Sequence, residues 1–170
     1  MNIEWPSCSD PYDRHRRTER LLQNLLPKAG ARILEIKHTD LSGYCKQAAH
    51  TYHSVQPENR AEIQGSYDLV YLGFVLHAVA EDTLPLLNLI RKHASQGYVI
   101  IGEDLACASH SEEWHERNHA KCKKGIFRSD REWKCLFDFF RMRLQARYII
   151  RRSDDVDEQV YRCLYVLKCA

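Results

Sequence analysis

The stretch from Tyr67 to Val79, Tyr-Asp-Leu-Val-Tyr-Leu-Gly-Phe-Val-Leu-His-Ala-Val, constrains the fold of this 170-residue chain more than any other. Tyr67 to Leu72 is a short β-branched and aromatic run between Gly65-Ser66 and Gly73, the signature of a buried strand. After Glu81-Asp82-Thr83, apolar residues at Leu84, Leu87, Leu89 and Ile90 follow with helical spacing. A second apolar run, Tyr98 to Ile101, enters through Gly97 and leaves through Gly102-Glu103-Asp104. Two buried strands joined by one helix must be parallel, because only a crossover of that length returns the chain to the same edge. The unit predicts an α/β domain.

The flanking sequence supplies the remaining elements. Asp10-Pro11 suits an N-cap and first helical residue, and Leu21, Leu22, Leu25 and Leu26 give that helix an apolar stripe ending before Pro27. Residues 1–10 lack periodicity and read as an irregular lead-in to a single domain over 1–170. Arg32 to Ile36 is a strand, Leu41 to His50 a short helix and Thr51 to Val55 a second strand. Ser129 followed by Glu132 forms a capping box, with Trp133, Leu136, Phe137 and Phe140 as the apolar face behind it. Leu144–Ile150 and Val160–Lys168 close the chain as two strands around a charged turn.

Ala31-Arg32-Ile33-Leu34-Glu35-Ile36, Tyr67-Asp68-Leu69-Val70, the segment Val75-Leu76-His77-Ala78-Val79 and Gly97 to Asp104 together resemble the class I S-adenosylmethionine-dependent methyltransferases. The resemblance runs from about Asp10 to the C-terminus. It implies a Rossmann-like methyltransferase fold: a mostly parallel sheet with helices on both faces and an antiparallel C-terminal strand inserted beside the strand that ends at Asp104. Only about ten residues separate Pro57 from Tyr67, so one strand of the family's seven is missing and Ala61 to Gln64 is at most a stub. This trimming is similar to compact, viral-type domains.

What the resemblance implies for function follows residue by residue. The family places Gly-x-Gly-x-Gly after its first strand, where backbone must approach the cofactor closely. This chain has Lys37-His38-Thr39-Asp40-Leu41-Ser42-Gly43, with Lys37 at the first glycine position. Cofactor contacts are therefore expected from Glu35, Lys37, His38 and Asp40, from Gln56 where the family has an acid for the ribose hydroxyls, with Glu58 two residues on, and from Leu72, Gly73 and Phe74. Glu103, Asp104 and His110 are the expected catalytic residues, since a carboxylate at this strand's exit can orient or deprotonate a nucleophile; Asp82, at the start of the preceding helix, is a further candidate. Substrate contacts are expected from Arg14, His77, His115 and His119. S-adenosylmethionine is the expected small-molecule methyl donor. The changed loop and Gln56 leave a second reading open, a non-catalytic binding or assembly module that has lost the cofactor and works with a protein partner.

Charge and cysteine usage bound the rest. A formal charge of +2 is too small to identify a nucleic-acid protein, yet Arg14, Arg16, Arg17 and Arg20 cluster near the start and Lys121, Lys123, Lys124, Arg128 and Arg131 near the middle. These patches favour RNA as methyl acceptor over a protein amine or a small molecule. Seven scattered cysteines without a Cys-x-x-Cys pair, and no apolar run able to span a bilayer, point to a reducing cytoplasmic or nuclear setting with no membrane partner. Cys107, His110, His115, His119 and Cys122 crowd one segment, and His115, His119 and Cys122 share a helical face, spacing compatible with zinc. The segment matches no standard zinc framework and reads as a substrate-facing lid, so no metal is expected.

Overall fold

The structure, a computed structural model, describes residues 2–5, 11–36, 41–94, 96–106, 126–151 and 161–169; for 2–5, 11–16, 80, 150, 151 and 161 it describes the backbone alone. Its strands are β1 (Asn2–Trp5), β2 (Arg32–Ile36), β3 (Thr51–Val55), β4 (Leu69–Gly73), β5 (Tyr98–Leu105), β6 (Met142–Arg151) and β7 (Tyr161–Cys169). Its α-helices are α1 (Pro11–Leu25), α2 (Ser42–Gln47), α3 (Thr83–His93) and α4 (Asp130–Phe139).

The strands form one sheet in the order β1-β6-β7-β5-β4-β2-β3. Pairings β2–β3, β2–β4, β4–β5 and β1–β6 are parallel, whereas β7 runs antiparallel to both β5 and β6. The βαβ unit, the trimmed parallel portion and the reversed final strand all match the expectation from sequence. Pro57–Glu62 is a 3-10 helix, in place of any stub strand before β4. Pro57 starts this turn, and so few residues remain before Tyr67 that the chain crosses directly back to the sheet. The expected irregular lead-in needs correction, because residues 2–5 add an edge strand to β6. Four residues carry too little periodicity to announce a strand; the open edge of β6 supplies the partner.

Period-2 alternation divides the buried side chains between two faces. Leu34, Ile36, Val70, Leu72, Val99 and Ile101 face Leu86, Leu87 and Ile90 of α3 and Trp133 and Phe137 of α4. Ile33, Leu69, Tyr71, Ile100, Leu164 and Val166 face Leu21 and Leu22 of α1 and Tyr44 and Cys45 of α2. Helices thus cover both faces. The capping box holds: Ser129 Oγ accepts the Glu132 N–H at 3.3 Å and Glu132 Oε2 accepts the Ser129 N–H at 2.7 Å.

Gly97 fixes how tightly β4 and β5 start. A Cβ there would lie 2.6 Å from the Tyr67 carbonyl oxygen and 2.8 Å from that of Asp68, closer than side-chain carbons approach backbone. Asp68 is committed on both sides, accepting the Tyr98 N–H at 2.8 Å through its carbonyl and the Arg32 N–H at 2.8 Å through its carboxylate.

Candidate functional site

β2 connects to β3 on one side and β4 to β5 on the other, so chain direction switches between the adjacent strands β2 and β4. Doubly wound sheets bind ligands beyond the carboxyl ends of their strands at such a point. Four groups of residues shape this edge.

Glu35, the penultimate residue of β2, is fully buried. Its Oε2 accepts the Leu41 N–H at 3.0 Å and the Tyr52 hydroxyl at 2.5 Å. One carboxylate therefore ties Leu41, where α2 begins, to the second residue of β3. Lys37, His38 and Asp40 lie outside the described residues. Gln56, just past β3, is exposed, and its carbonyl accepts the Asn59 N–H at 3.0 Å as the 3-10 helix starts.

At the end of β4, Leu72 is fully buried in the α3/α4 core and Gly73 is buried, while Phe74 is partly exposed. Phe74 adopts φ 58°, a left-handed conformation that costs a bulky residue free energy and persists only where surroundings impose it. Here its N–H donates to the Gly102 carbonyl at 2.8 Å, and its ring lies 3.3 Å from where a Gly102 Cβ would stand. The Arg162 guanidinium sits over the same ring, 4.7 Å from its centroid. Arg162 Nε donates to Asp104 Oδ1 at 2.6 Å.

Asp104 and Glu103 are sequence neighbours on opposite faces of β5. Asp104, 17% exposed, belongs with Arg162 and Phe74 on the α1/α2 side. Glu103 is fully buried toward α3 and α4. Its Oε1 accepts the Leu76 N–H at 2.7 Å, and its Oε2 accepts the His77 N–H at 3.3 Å and lies 2.8 Å from His77 Nδ1. Burial pushes the Glu103 carboxyl above its ordinary value, more than its contacts with His77 lower it. For His77, burial works against the charged ring, but the hydrogen bond and charge of Glu103 outweigh it and hold the imidazole above its ordinary value. Both groups are thus shifted toward their protonated forms. His77 also stacks on Phe127, ring centroids 5.1 Å apart.

Beside this crossing opens a cleft of about 860 Å³. Pro57, Glu58 and Arg60 of the 3-10 helix form one wall, and Ala78, Val79 and Ile126 line it elsewhere; Glu81 and Asp82 are also among its lining residues. Its volume lies within the usual range for small-molecule sites, about 300–1,000 Å³. Ala78, Val79, Leu86 and Ile126 give it an apolar side that suits a flat heterocycle, the charged Glu58, Arg60, Glu81 and Asp82 line the rest, and Glu58 supplies an acceptor two residues beyond Gln56. To that extent the described residues fit a nucleoside-bearing cofactor. Residues 37–40, expected to meet the rest of such a molecule, lie outside them.

The structure thus brings together Glu103 with His77 and Asp104 with Phe74, and keeps those two pairs on opposite faces. The side chain of Arg14 is outside the description, as are His110, His115 and His119, together with Cys107 and Cys122. Among the described residues no cluster of His, Cys, Asp or Glu is arranged for a metal ion, and no helix is long and apolar enough to cross a membrane. Sequence reasoning did not find Tyr52, Phe127 or Arg162. Each acquires its partner only through tertiary contact.

No protein-family model matches the chain, and no curated protein does. Solved structures do. A putative methyltransferase from Bacillus halodurans superposes with a TM-score of 0.68 at 8% identity, covering 88% of this chain and 96% of that one. Geranyl diphosphate C-methyltransferase from Streptomyces coelicolor, in complex with Mg2+, geranyl diphosphate and S-adenosyl-L-homocysteine, gives 0.64 at 8% identity, covering 94% and 80%. Mitomycin 7-O-methyltransferase gives 0.60 at 13% identity; the match covers 94% of this chain and spans 58% of that enzyme's length. The sheet order and these superpositions identify one architecture.

Proposed function

We propose that this chain, whose fold is that of the class I S-adenosylmethionine-dependent methyltransferases, binds that cofactor and transfers its methyl group. The observation that carries the reading is the cleft at the carboxyl ends of β3 and β4, beside the switch point where the fold places a ligand. The cofactor supplies a methyl group already activated on a sulfonium, so positioning can carry most of the rate. Glu58 accepts hydrogen bonds from the ribose hydroxyls together with Gln56, while Ala78, Val79 and Ile126 pack on the base. Glu35 shapes the loop from which Lys37, His38 and Asp40 approach the methionine end, and Gly73 and Phe74 border the reacting methyl. Asp104, kept in place by Arg162, orients the acceptor or takes its proton, and His110 is the second proposed catalytic residue. Arg14, His77, His115 and His119 contribute to acceptor binding.

RNA is the proposed acceptor, supported by the two basic clusters. The described cleft itself carries Glu58, Glu81 and Asp82 against Arg60, a rim that does not attract a polyanion, so the phosphate contacts are assigned to the two clusters. Lys and Arg contacts to phosphates make affinity fall steeply with salt; a salt-independent affinity would remove RNA from the reading.

The deciding experiment is calorimetric titration with S-adenosylmethionine and S-adenosylhomocysteine. Micromolar binding, about 8 kcal/mol, is expected, and Asp104→Asn should then slow methyl transfer by about a hundredfold or more while leaving that binding intact. Absence of heat at millimolar ligand would refute the cofactor reading. It would favour the non-catalytic assembly module, which Lys37 in place of glycine and the uncharged Gln56 also support.

A further inference from the structure

Glu103 and His77 sit at the centre of a ring of contacts that reaches the cleft. Glu103 holds the Leu76 and His77 amides and the His77 ring. The His77 carbonyl accepts the Ile126 N–H at 2.8 Å, and the Arg128 carbonyl accepts the Ala106 N–H at 3.0 Å. Arg128 Nη1 donates to Thr83 Oγ1 at 3.4 Å, and that hydroxyl donates back to the Leu76 carbonyl at 3.2 Å. Ala78, Val79 and Ile126, which this ring carries, are cleft-lining residues. Glu103 itself is fully buried and does not line the cleft.

We infer that Glu103 is a positioning residue that sets the β4–α3 wall of the cleft through the Leu76 and His77 amides, and that the protonation state of the His77 ring tunes the wall. The functional consequence rests on the cofactor reading above. The chemistry requires a carboxylate. Three donors converge on two oxygens, and a glutamine would turn its NH2 toward one of the backbone N–H groups in either orientation. The ring matters because a buried carboxylate without a nearby positive charge is costly. As pH rises and the ring loses its proton, the anchor loses its counter-charge and the wall loosens. The other charged groups acting on the pair, among the described residues, are Asp104 on β5, which favours the proton, and Arg162 on β7, which disfavours it on His77. Arg128, beside Phe127, also feels the Glu103 charge.

The test compares wild type, Glu103→Gln and His77→Gln by amide hydrogen exchange over residues 74–82, by NMR titration of His77, and by S-adenosylhomocysteine affinity across pH 6 to 9. Glu103→Gln should accelerate exchange at Leu76 and His77, return the His77 titration toward its ordinary value and weaken ligand affinity by about tenfold, a usual size for coupling between a ligand and a two-state element. His77→Gln retains both backbone anchors and should fold, but it lacks the counter-charge at every pH, so it should hold exchange and affinity at the wild-type high-pH level and abolish the pH inflection in affinity. Unchanged exchange and an unchanged His77 titration in Glu103→Gln overturn the inference. If Glu103→Gln does not fold, an inflection that persists in His77→Gln overturns the tuning role of the ring. If wild type takes up no ligand, the cofactor reading fails, while exchange and titration still decide whether Glu103 holds the wall.

Discussion

Removing the Glu35 carboxylate tests how the start of α2 is held against β2 and β3. The Glu35→Ala variant removes an acceptor from two donors, the buried Leu41 N–H at 3.0 Å and the part-buried Tyr52 hydroxyl at 2.5 Å. An unsatisfied buried donor costs about 1–3 kcal/mol, so loss of the Leu41 acceptor alone predicts about 1–3 kcal/mol of lost stability. Glu35→Gln should cost less. Both donors meet the same oxygen, Oε2, and an amide can keep an oxygen there, so that these two bonds lose charge assistance, about 1 kcal/mol. The assay is denaturant unfolding of both variants, with midpoints compared at a common slope. A double-mutant cycle with Tyr52→Phe should return a coupling of about 0.5–3 kcal/mol, the range for residues in direct contact. Glu35→Ala within about 0.5 kcal/mol of wild type, or Gln as damaging as Ala, would refute the anchoring role; the first result lies within ordinary surface-substitution scatter.

Gly97→Ala should destabilise by about 2–4 kcal/mol, combining overpacking against the Tyr67 and Asp68 carbonyls with the strained Tyr98–Asp68 hydrogen bond; thermal unfolding measures it. Ser129→Ala should cost about 1 kcal/mol through loss of the α4 cap, and Ser129→Asp should recover most of it. The pH dependence of stability follows from His77, whose folded value is raised. Its contribution is fully present below the unfolded value near 6.5 and is lost as pH rises through the folded one. Unfolding free energies measured between pH 6 and 9 should therefore decline, and His77→Gln should flatten that decline; an equal slope in both proteins would contradict it.

Local signals located the elements well where the sequence punctuates them. Arg32–Ile36 and Thr51–Val55 are strands over the ranges read from sequence, because short β-branched runs lie between turn residues. The capping box marked the start of α4 for the same kind of reason, a contact between residues three apart. β1 gave no such signal, since a four-residue edge strand owes its conformation to β6. Glu35, Glu103 and Asp104 could be named from their motif positions, but adjacency in sequence suggested one shared role for the last two. The pleat separates them.

By itself, then, the sequence determined the βαβ core, the direction of its strands and the carboxyl edge at which a ligand site must lie, because periodicity and crossover geometry are local properties. Only tertiary structure decided what the carboxylates do. Arg162 is 58 residues from Asp104, Phe127 is 50 from His77, and Tyr52 is 17 from Glu35. No local pattern encodes such pairs; they exist because strand register and packed faces bring distant side chains within hydrogen-bonding or stacking distance. That same packing turned Glu103 inward, where burial and the His77 ring set its proton affinity, and left Asp104 on the opposite face beside Arg162 and Phe74.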